Sequence, residues 1–408
     1  MVTLNMWLLW GDGLFSKDPI DREIEYFRQK FPHIDIKVIL IRWPEAWENI
    51  IKAANEEKGP DVLQIGTTWN ATLAYLGVLK DITRECHEAN IKGDAFVPAA
   101  WNSCQVPGSD KVSCLPWFVD IRAVYYRQDI FKKLYMSEAN LYDWSSFEEA
   151  CSNVLNFKSE GNPIEVLGIS GDAEPLLVHN VAPWIWGAGG DFLTPDGKKA
   201  AFNSQEAVKG LEFYIGLIAK GYIPSSALRL INEQVYTNFF TRGLYAMAIP
   251  GSVGALDPPS PTYFESVTPH CAPALFPEGP AGRFAFCGGS NLAITSFSEH
   301  SQEAWEFIKF LISPESQMRY GRGNKFPGLL KSFESFFING QSKSERFKES
   351  WKYGRSFPNI ASWGAVESLL IGCFGKIFAR VQEGDYNISK IRTDLDQAAN
   401  DVDSLLAR

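Results

Sequence analysis

The hydrophobic positions in the first part of the chain recur with two alternating periods. Residues 2–9 form an apolar, strand-like run. Asp18-Pro19 then suits a helix N-terminus, because aspartate is a good N-cap and proline fits the first helical turn. Helical spacing follows at Ile20, Ile24, Phe27 and Phe31. The pattern predicts a strand followed by a helix.

The same alternation continues over the next segments. Residues 34–38 alternate apolar and polar as a strand does, residues 47–54 return to helical spacing, and residues 62–65 form a third strand-like run. Alternating strands and helices predict a mainly parallel sheet covered by helices. The first lobe is therefore predicted to be α/β.

Later segments predict a second lobe and a return to the first. Residues 119–126 are strand formers that could cross between lobes, and residues 208–218 have helical periodicity. The strand-like run 291–295 and the helix 304–311 are assigned back to the first lobe. The predicted first lobe comprises residues 1–119 and 289–325. The second comprises residues 120–288 and 326–408, with C-terminal helices.

Composition narrows the class of protein. The 408 residues are 45% hydrophobic and 21% charged, which suffices for two cores. A net charge of −9 without a basic run gives no footprint for nucleic acid or an anionic membrane. The five histidines lie scattered without metal-ligand spacing, and no phosphate loop, dinucleotide fingerprint or nucleophile elbow occurs. We therefore expect no cofactor, no metal and no nucleic-acid partner.

Seven cysteines leave their pairing open. Cys104 and Cys114 flank a turn-forming segment, so a hairpin would bring them together either as a disulfide or as two reduced core thiols. Cys271 and Cys287 form a weaker second pair. The sequence does not fix the connectivity among these four and Cys86, Cys151 and Cys373.

Three tryptophans stand just beyond predicted strands, at Trp10, Trp43 and Trp69. Open α/β sheets bind ligands beyond the carboxyl ends of their strands. An indole face packs on the apolar face of a sugar ring, while polar groups such as Asp12 accept hydrogen bonds from hydroxyls. Each indole either faces a ligand or packs into a lobe core, and Asp12 either binds a hydroxyl or shapes a turn.

Eight segments, in this order, resemble family 1 extracellular solute-binding proteins, the maltose-binding-like receptors of carbohydrate ABC importers. The match spans nearly the whole chain. The segments are FRQKFPHI (27–34), GPDV (59–62), LGVLKDIT (76–83), LPWFVDIR (115–122), YYRQDIF (125–131), FNSQEA (202–207), GGSNLAI (288–294) and AWEFIKFL (304–311).

The resemblance implies a two-lobed, type II periplasmic-binding-protein-like α/β fold whose lobes are joined by a strand hinge. It implies that the protein captures a carbohydrate, above all an oligosaccharide, in a cleft that closes about the hinge. The protein would then deliver this sugar to membrane permease subunits. The chain departs from the family at Val253, where an aromatic is common, and at Lys325-Phe326-Pro327. These departures bear on which sugar is bound.

Further candidate ligand contacts follow from the resemblance and the residue types. Trp184 and Trp186 would point the same way if their glycine-rich segment is extended, and either serve the ligand or plug the second lobe. Asp120 either accepts bonds from sugar hydroxyls or caps a turn. In the hinge, Gly288, Gly289 and Asn291 either contact the ligand or form a turn that begins a strand. Before a late helix, Trp363 either covers the cleft or packs into a core. Ser252, in the segment 249–253, is the remaining candidate.

Two other classes of function remain open at this point. A glycoside hydrolase or lyase would use paired carboxylates, but no spacing singles out an acid and a nucleophile. A protein-interaction module would use exposed aromatics as a partner surface. We expect a monomeric, non-enzymatic receptor. We also expect it to be extracytoplasmic, either periplasmic or lipid-anchored as a lipoprotein, with its signal sequence removed from this chain.

Overall fold

The computed structural model describes residues 1–10, 18–106, 108–157, 163–171, 175–250, 270–321, 325–338 and 345–407. Side chains inside these ranges are described except those of ten residues, which are Trp10, Asp18, Pro44, Pro175, Glu233, Phe337, Ile338, Glu345, Arg346 and Phe347. The chain divides into two compact units. Unit 1 comprises Met1–Asp120, Cys287–Gln341 and Asn359–Trp363, and unit 2 comprises Ile121–Phe286, Ser342–Pro358 and Gly364–Arg408.

Unit 1 alternates strands and helices through its N-terminal segment. Strands and helices are numbered in chain order. The strands are β1 (Val2–Trp10), β2 (Ile34–Arg42), β3 (Val62–Gly66), β4 (Cys114–Ile121), β9 (Ala285–Ile294) and β10 (Phe326–Pro327). The helices are α1 (Asp18–Lys30), α2 (Trp43–Glu56), α3 (Asn70–Tyr75), α4 (Thr83–Glu88), α5 (Pro98–Asn102), α11 (Ser301–Leu311), α12 (Pro314–Gly321) and α13 (Leu330–Ile338).

The sheet of unit 1 has the strand order β10-β4-β9-β3-β1-β2. β1 pairs in parallel with both β2 and β3, whereas β9 runs antiparallel to β3. One face packs on α1 and α11 through Phe27, whose ring lies 4.8 Å from that of Phe307. A second cluster, around Leu63, Ile65 and Leu73, lies under α2 and α3.

Unit 2 has a smaller sheet with the strand order β6-β7-β5-β8. The four strands of this sheet are β5 (Val124–Arg127), β6 (Glu165–Gly168), β7 (Tyr245–Ala248) and β8 (Cys271–Ala274). Unit 2 also contains β11 (Gly354–Arg355), which pairs with the start of β9. Its helices are α6 (Gln128–Lys133), α7 (Trp144–Leu155), α8 (Pro175–Gly187), α9 (Gln205–Ala219), α10 (Asn232–Phe240), α14 (Trp363–Gln382) and α15 (Ile388–Leu406).

The α/β class is as predicted, but the sheets are mixed rather than mainly parallel. The parallel prediction holds for β1, β2 and β3, which are joined by helical crossovers. β5 is antiparallel to both β7 and β8, and β10 is antiparallel to β4. Hydrophobic periodicity identifies strands but carries no information on their direction.

The compact units also differ in extent from the predicted lobes. The sequence assigned residues 326–408 to the second lobe, whereas the structure puts the described residues 326–338 and 359–363 in unit 1. Phe326 pairs with Val119 of β4, and the Gly328 carbonyl accepts a 2.9 Å hydrogen bond from the Val97 amide. These pairings join residues far apart in sequence, so local patterns could not reveal them.

Candidate functional site

The carboxyl ends of β2 and β3 lie at one edge of the sheet of unit 1, because both strands run parallel to β1. α2 begins with Trp43 immediately after β2, and Trp69 is the N-cap residue of α3, three residues beyond the end of β3. The Trp69 amide donates a 3.0 Å hydrogen bond to the Gly66 carbonyl, which fixes the turn. The strands therefore deliver both predicted indoles to one place.

Trp43 and Trp69 form an edge-to-face pair that is half-buried. Their ring centroids are 5.4 Å apart and their planes meet at 68°. Gly66 lies between them, since a Cβ added there would approach Trp43 to 3.5 Å and Trp69 to 3.7 Å. The pair thus offers accessible aromatic surface beside a backbone without a side chain, an arrangement that suits a sugar ring.

A third indole, Trp47, belongs to the same cluster and was not among the predicted site residues. Its centroid lies 5.6 Å from that of Trp69, at an interplanar angle of 73°. Trp43 and Trp47 are one helical turn apart, so they share a face of α2. The sequence signal for this residue was Pro44, because proline favours the first turn of a helix and so predicts that α2 begins near Trp43. A helix that begins there places Trp43 and Trp47 on one face.

Several predicted contacts lie outside the described part of the structure. Trp10 ends β1, but its side chain is not described. Asp12 and Ser252 lie outside the described residues, as does Val253, where the chain departs from the family pattern. Their roles remain predictions from the sequence.

Asn291 is fully buried in β9, where it lies opposite Ile65. Its amide nitrogen donates a 2.9 Å hydrogen bond to Ser103 Oγ, and Ser103 in turn donates to the Ala100 carbonyl. Asn291 Oδ1 has no hydrogen-bond partner among the described residues. The amide thus ties β9 to α5, and its role as a sugar contact remains a prediction.

The neighbouring glycines allow close approach of two strands. Gly289 has φ +128°, and a Cβ added there would lie 2.2 Å from the Phe118 carbonyl oxygen of β4. A side chain at this position would therefore clash with backbone. Gly288 is buried beside it. Asp120 is half-buried at the end of unit 1, and burial together with its charge raises the pKa of the Cys287 thiol.

Trp184 and Trp186 lie in helix α8, so the alternation expected of an extended segment does not apply. Both are buried, at 0% and 1% exposure. The Trp184 ring lies 4.8 Å from Phe276 and 5.3 Å from Phe213, and it stacks on Tyr214. This packing is that of a core residue of unit 2, and a sugar contact by Trp184 remains a prediction that the burial does not support.

Trp186 differs from Trp184 because a charged side chain lies over its ring. The Arg355 guanidinium is 4.9 Å from the Trp186 ring centroid and pairs with Asp191. Phe192 and Phe357 enclose the indole at 6.0 and 5.8 Å. Trp186 could meet a ligand only if Arg355 moved, so its sugar contact also remains a prediction.

Comparison with known proteins decides the class. The family model described as bacterial extracellular solute-binding protein matches residues 16–318, more than half of the chain. The chain belongs to this family. The resemblance inferred from the sequence is therefore confirmed, and with it an extracytoplasmic rather than an intracellular class of protein.

Individual relatives of this solute-binding protein are distant but cover its length. The diacetylchitobiose binding protein DasA of Streptomyces coelicolor is 23% identical over 380 residues, which is 90% of this chain and 82% of DasA. Maltose-bound MalE3 of T. maritima has a TM-score of 0.82 at 22% identity, covering 99% of this chain and 100% of its own. A tagatose-bound solute-binding protein of Thermotoga lettingae has a TM-score of 0.81 at 23% identity over 100% of both chains. The two structures establish the type II fold.

Trp363 is buried and ends the segment Asn359–Trp363 of unit 1. Asn359 Nδ2 donates to the carbonyls of Asn102 and Gln105, and Thr72 Oγ1 donates 2.6 Å to the Ala361 carbonyl. These bonds fix the segment on α3 and α5. The role of Trp363 in ligand binding remains a prediction.

All seven cysteines of this solute-binding protein are buried. Gln105 pairs with Val112, so the predicted hairpin forms, and the structure has Cys104 and Cys114 in their reduced form. Cys114 Sγ donates to Asn70 Oδ1 at 3.3 Å, and burial raises the pKa of Cys104. Among the described residues, no helix is long and apolar enough to span a membrane. The same residues include no group of three or more His, Cys, Asp or Glu side chains that could hold a metal ion.

Proposed function

We propose that this chain is the solute-binding component of a carbohydrate ABC importer, capturing an oligosaccharide outside the cytoplasm and delivering it to membrane permease subunits. The observation that carries the proposal is the half-buried Trp43–Trp69 pair beside Gly66 at the carboxyl ends of β2 and β3. Flat aromatic surface is costly to leave in water, and it matches the C–H face of a sugar ring.

The relatives support a carbohydrate rather than another solute. DasA is named for binding diacetylchitobiose, and the similar structures hold maltose and tagatose. These ligands are different sugars, so they support the chemical class and leave the identity of the sugar to experiment. An edge-to-face pair offers more than one aromatic face, which favours an oligosaccharide over a monosaccharide.

A thermal-shift screen against mono- and oligosaccharides of varied linkage tests the proposal. A ligand at a hundred times its Kd stabilises the native state by about 2.7 kcal/mol, so a true ligand gives a clear rise in melting temperature. The protein is first unfolded in denaturant, dialysed and refolded, which removes any sugar that copurifies. Calorimetric titration of the hits then gives stoichiometry, and no binding of any sugar would contradict the proposal.

We also propose that binding occurs without turnover and in a monomer. Bound sugar recovered after prolonged incubation with the protein should be chemically unchanged by chromatography. Appearance of shorter saccharides, abolished by one carboxylate substitution, would instead identify a glycoside hydrolase or lyase. Light scattering of the ligand-bound protein tests the monomeric state.

A further inference from the structure

The indole of Trp69 has neighbours of two kinds. Trp43 belongs to the first turn of α2 and meets Trp69 at 5.4 Å, while Trp47 meets it at 5.6 Å from the following turn. All three rings are half-buried, so each has a packed part and an exposed part. What holds the Trp69 ring at its angle therefore decides which face it presents.

The backbone of Trp69 is fixed, but its side chain depends on its neighbours for orientation. Its amide bonds to Gly66, and its carbonyl accepts the Leu73 amide at 3.0 Å. Gly66 has no side chain to restrain the indole, although the ring does reach the core cluster around Leu63, Ile65 and Leu73. Rotation about the side-chain bonds of Trp69 is therefore limited by this cluster on one side and by the rings of Trp43 and Trp47 on the other.

Trp47 is anchored in a way that Trp43 is not. Trp47 packs with Ile51 and Ala54 against the core cluster, whereas Trp43 does not belong to it. An indole that packs against a close-packed core keeps its rotamer, because other rotamers would open a void or clash. Trp47 is thus a fixed edge against which Trp69 rests.

We propose that Trp47 is a positioning residue, which holds the Trp69 indole in the orientation that stacks on a sugar ring. This inference rests on the proposed function. Binding groups must be held within a few tenths of an ångström by residues that are themselves locked by packing. Trp47 supplies that support for Trp69, while Trp43 and Trp69 present the exposed surface.

The test compares two substitutions at Trp47 with a matched control on the same helix. Trp47→Leu removes the aromatic edge but keeps apolar volume, and Trp47→Phe keeps a flat ring. Ile51→Ala removes packing against the same cluster one turn further along α2. For a sugar identified in the screen, we expect Kd to rise about tenfold in Trp47→Leu, to stay within about threefold in Trp47→Phe, and to stay unchanged in Ile51→Ala.

Near-ultraviolet circular dichroism supplies a readout that general destabilisation would not move. Indoles held at a fixed angle give a coupled aromatic signal, which should fall alike in Trp47→Leu and Trp69→Leu and persist in folded Ile51→Ala. Wild-type affinity in Trp47→Leu would overturn the inference, and so would an equal loss in Ile51→Ala. Sugar binding that survives Trp69→Ala would overturn it while leaving the proposed function intact. A protein that binds no sugar would overturn both, and the dichroism would still show whether Trp47 orders Trp69.

Discussion

The indoles of unit 1 and those of unit 2 have opposite environments, although both groups occur in aromatic-rich segments. Trp43 and Trp69 follow strand ends and remain half-exposed, whereas Trp184 and Trp186 lie inside a helix and are buried. A tryptophan just beyond a parallel strand is placed at the sheet edge by topology. A tryptophan in a helix that is apolar on all sides is placed in the core. Position relative to the element therefore separates a partly exposed indole, which we propose binds the ligand, from a buried one.

The largest expected effect is on the core of unit 2. Trp184→Ala should lower the free energy of unfolding by about 3–5 kcal/mol, because it leaves a cavity among Phe147, Phe213 and Phe276. Denaturant titration of the sugar-free protein measures the loss, with Trp184→Phe as the milder control. A loss below about 1 kcal/mol would show that Trp184 is not a core residue, and the indoles of the two units would then not differ in this way.

The difference between these indoles also shows which elements of the fold can be predicted from sequence patterns. Local patterns predicted β1, α1, β2 and β3, because α1 and β2 have periodic apolar positions while β1 and β3 are short apolar runs. They failed at 182–190, where α8 contains Pro183 and is apolar nearly throughout. Proline argues against a helix interior, and an apolar run without polar interruptions has no readable period. The structure resolves the ambiguity through packing on α9 and Phe276.

The candidate site was predictable to the same extent. Trp43 and Trp69 were chosen as candidates because a general rule places ligands beyond strand ends. Their mutual contact and the support from Trp47 depend on α2 and α3 meeting, which residues far apart in sequence decide. The hydrogen bond from Asn291 to Ser103 and the position of Arg355 over Trp186 are likewise non-local. The spacing of residues in the sequence could indicate candidate residues, but it could not predict which side chains they contact.

The next effect concerns binding rather than stability. Trp69→Ala should weaken sugar binding by about 2 kcal/mol, or roughly 30-fold, because it removes stacking surface. Calorimetric titration measures the change, and Tyr75→Ala is the control because Tyr75 is an aromatic on the same helix that is 79% exposed. The melting temperature should fall less than in Trp184→Ala. Unchanged affinity would remove Trp69 from the site.

Unit 1 also contains a lysine surrounded by aromatic rings, immediately before β10. This cluster tests whether the environment of an aromatic side chain depends on its position in an element or on the unit that contains it. Lys325 Nζ lies 4.6 Å from the Phe118 ring centroid, 4.7 Å from that of Tyr320 and 5.7 Å from that of Trp117. Burial lowers the pKa of Lys325 to about 7 from 10.5, although the facing rings favour the cation. Trp117 and Tyr320 are buried here, as Trp184 and Trp186 are in unit 2, whereas Lys325 itself is half-buried.

The pH dependence of the unfolding free energy, compared between the wild type and Lys325→Met, tests whether this environment lowers the pKa of Lys325. Above pH 7 the folded protein releases the Lys325 proton while the unfolded chain keeps it up to about pH 10, so wild-type stability rises with pH relative to the variant. We expect the difference in unfolding free energy to change by about 1–2 kcal/mol between about pH 6 and about pH 8.5. Parallel pH profiles for the two proteins would show that the lysine keeps its ordinary pKa.

The smallest effect would sharpen the contrast at Trp186 itself. Arg355 lies over the Trp186 ring and pairs with Asp191 at a half-exposed position, so Arg355→Met should cost about 0.5–1 kcal/mol. Acrylamide should then quench more of the indole fluorescence, because the guanidinium no longer shields the ring; Arg355→Lys is the control that keeps the charge. Unchanged quenching would show that Phe192 and Phe357 seal Trp186 without help. In that case burial in unit 2 depends on the aromatic core alone, and Trp186 is as structural as Trp184.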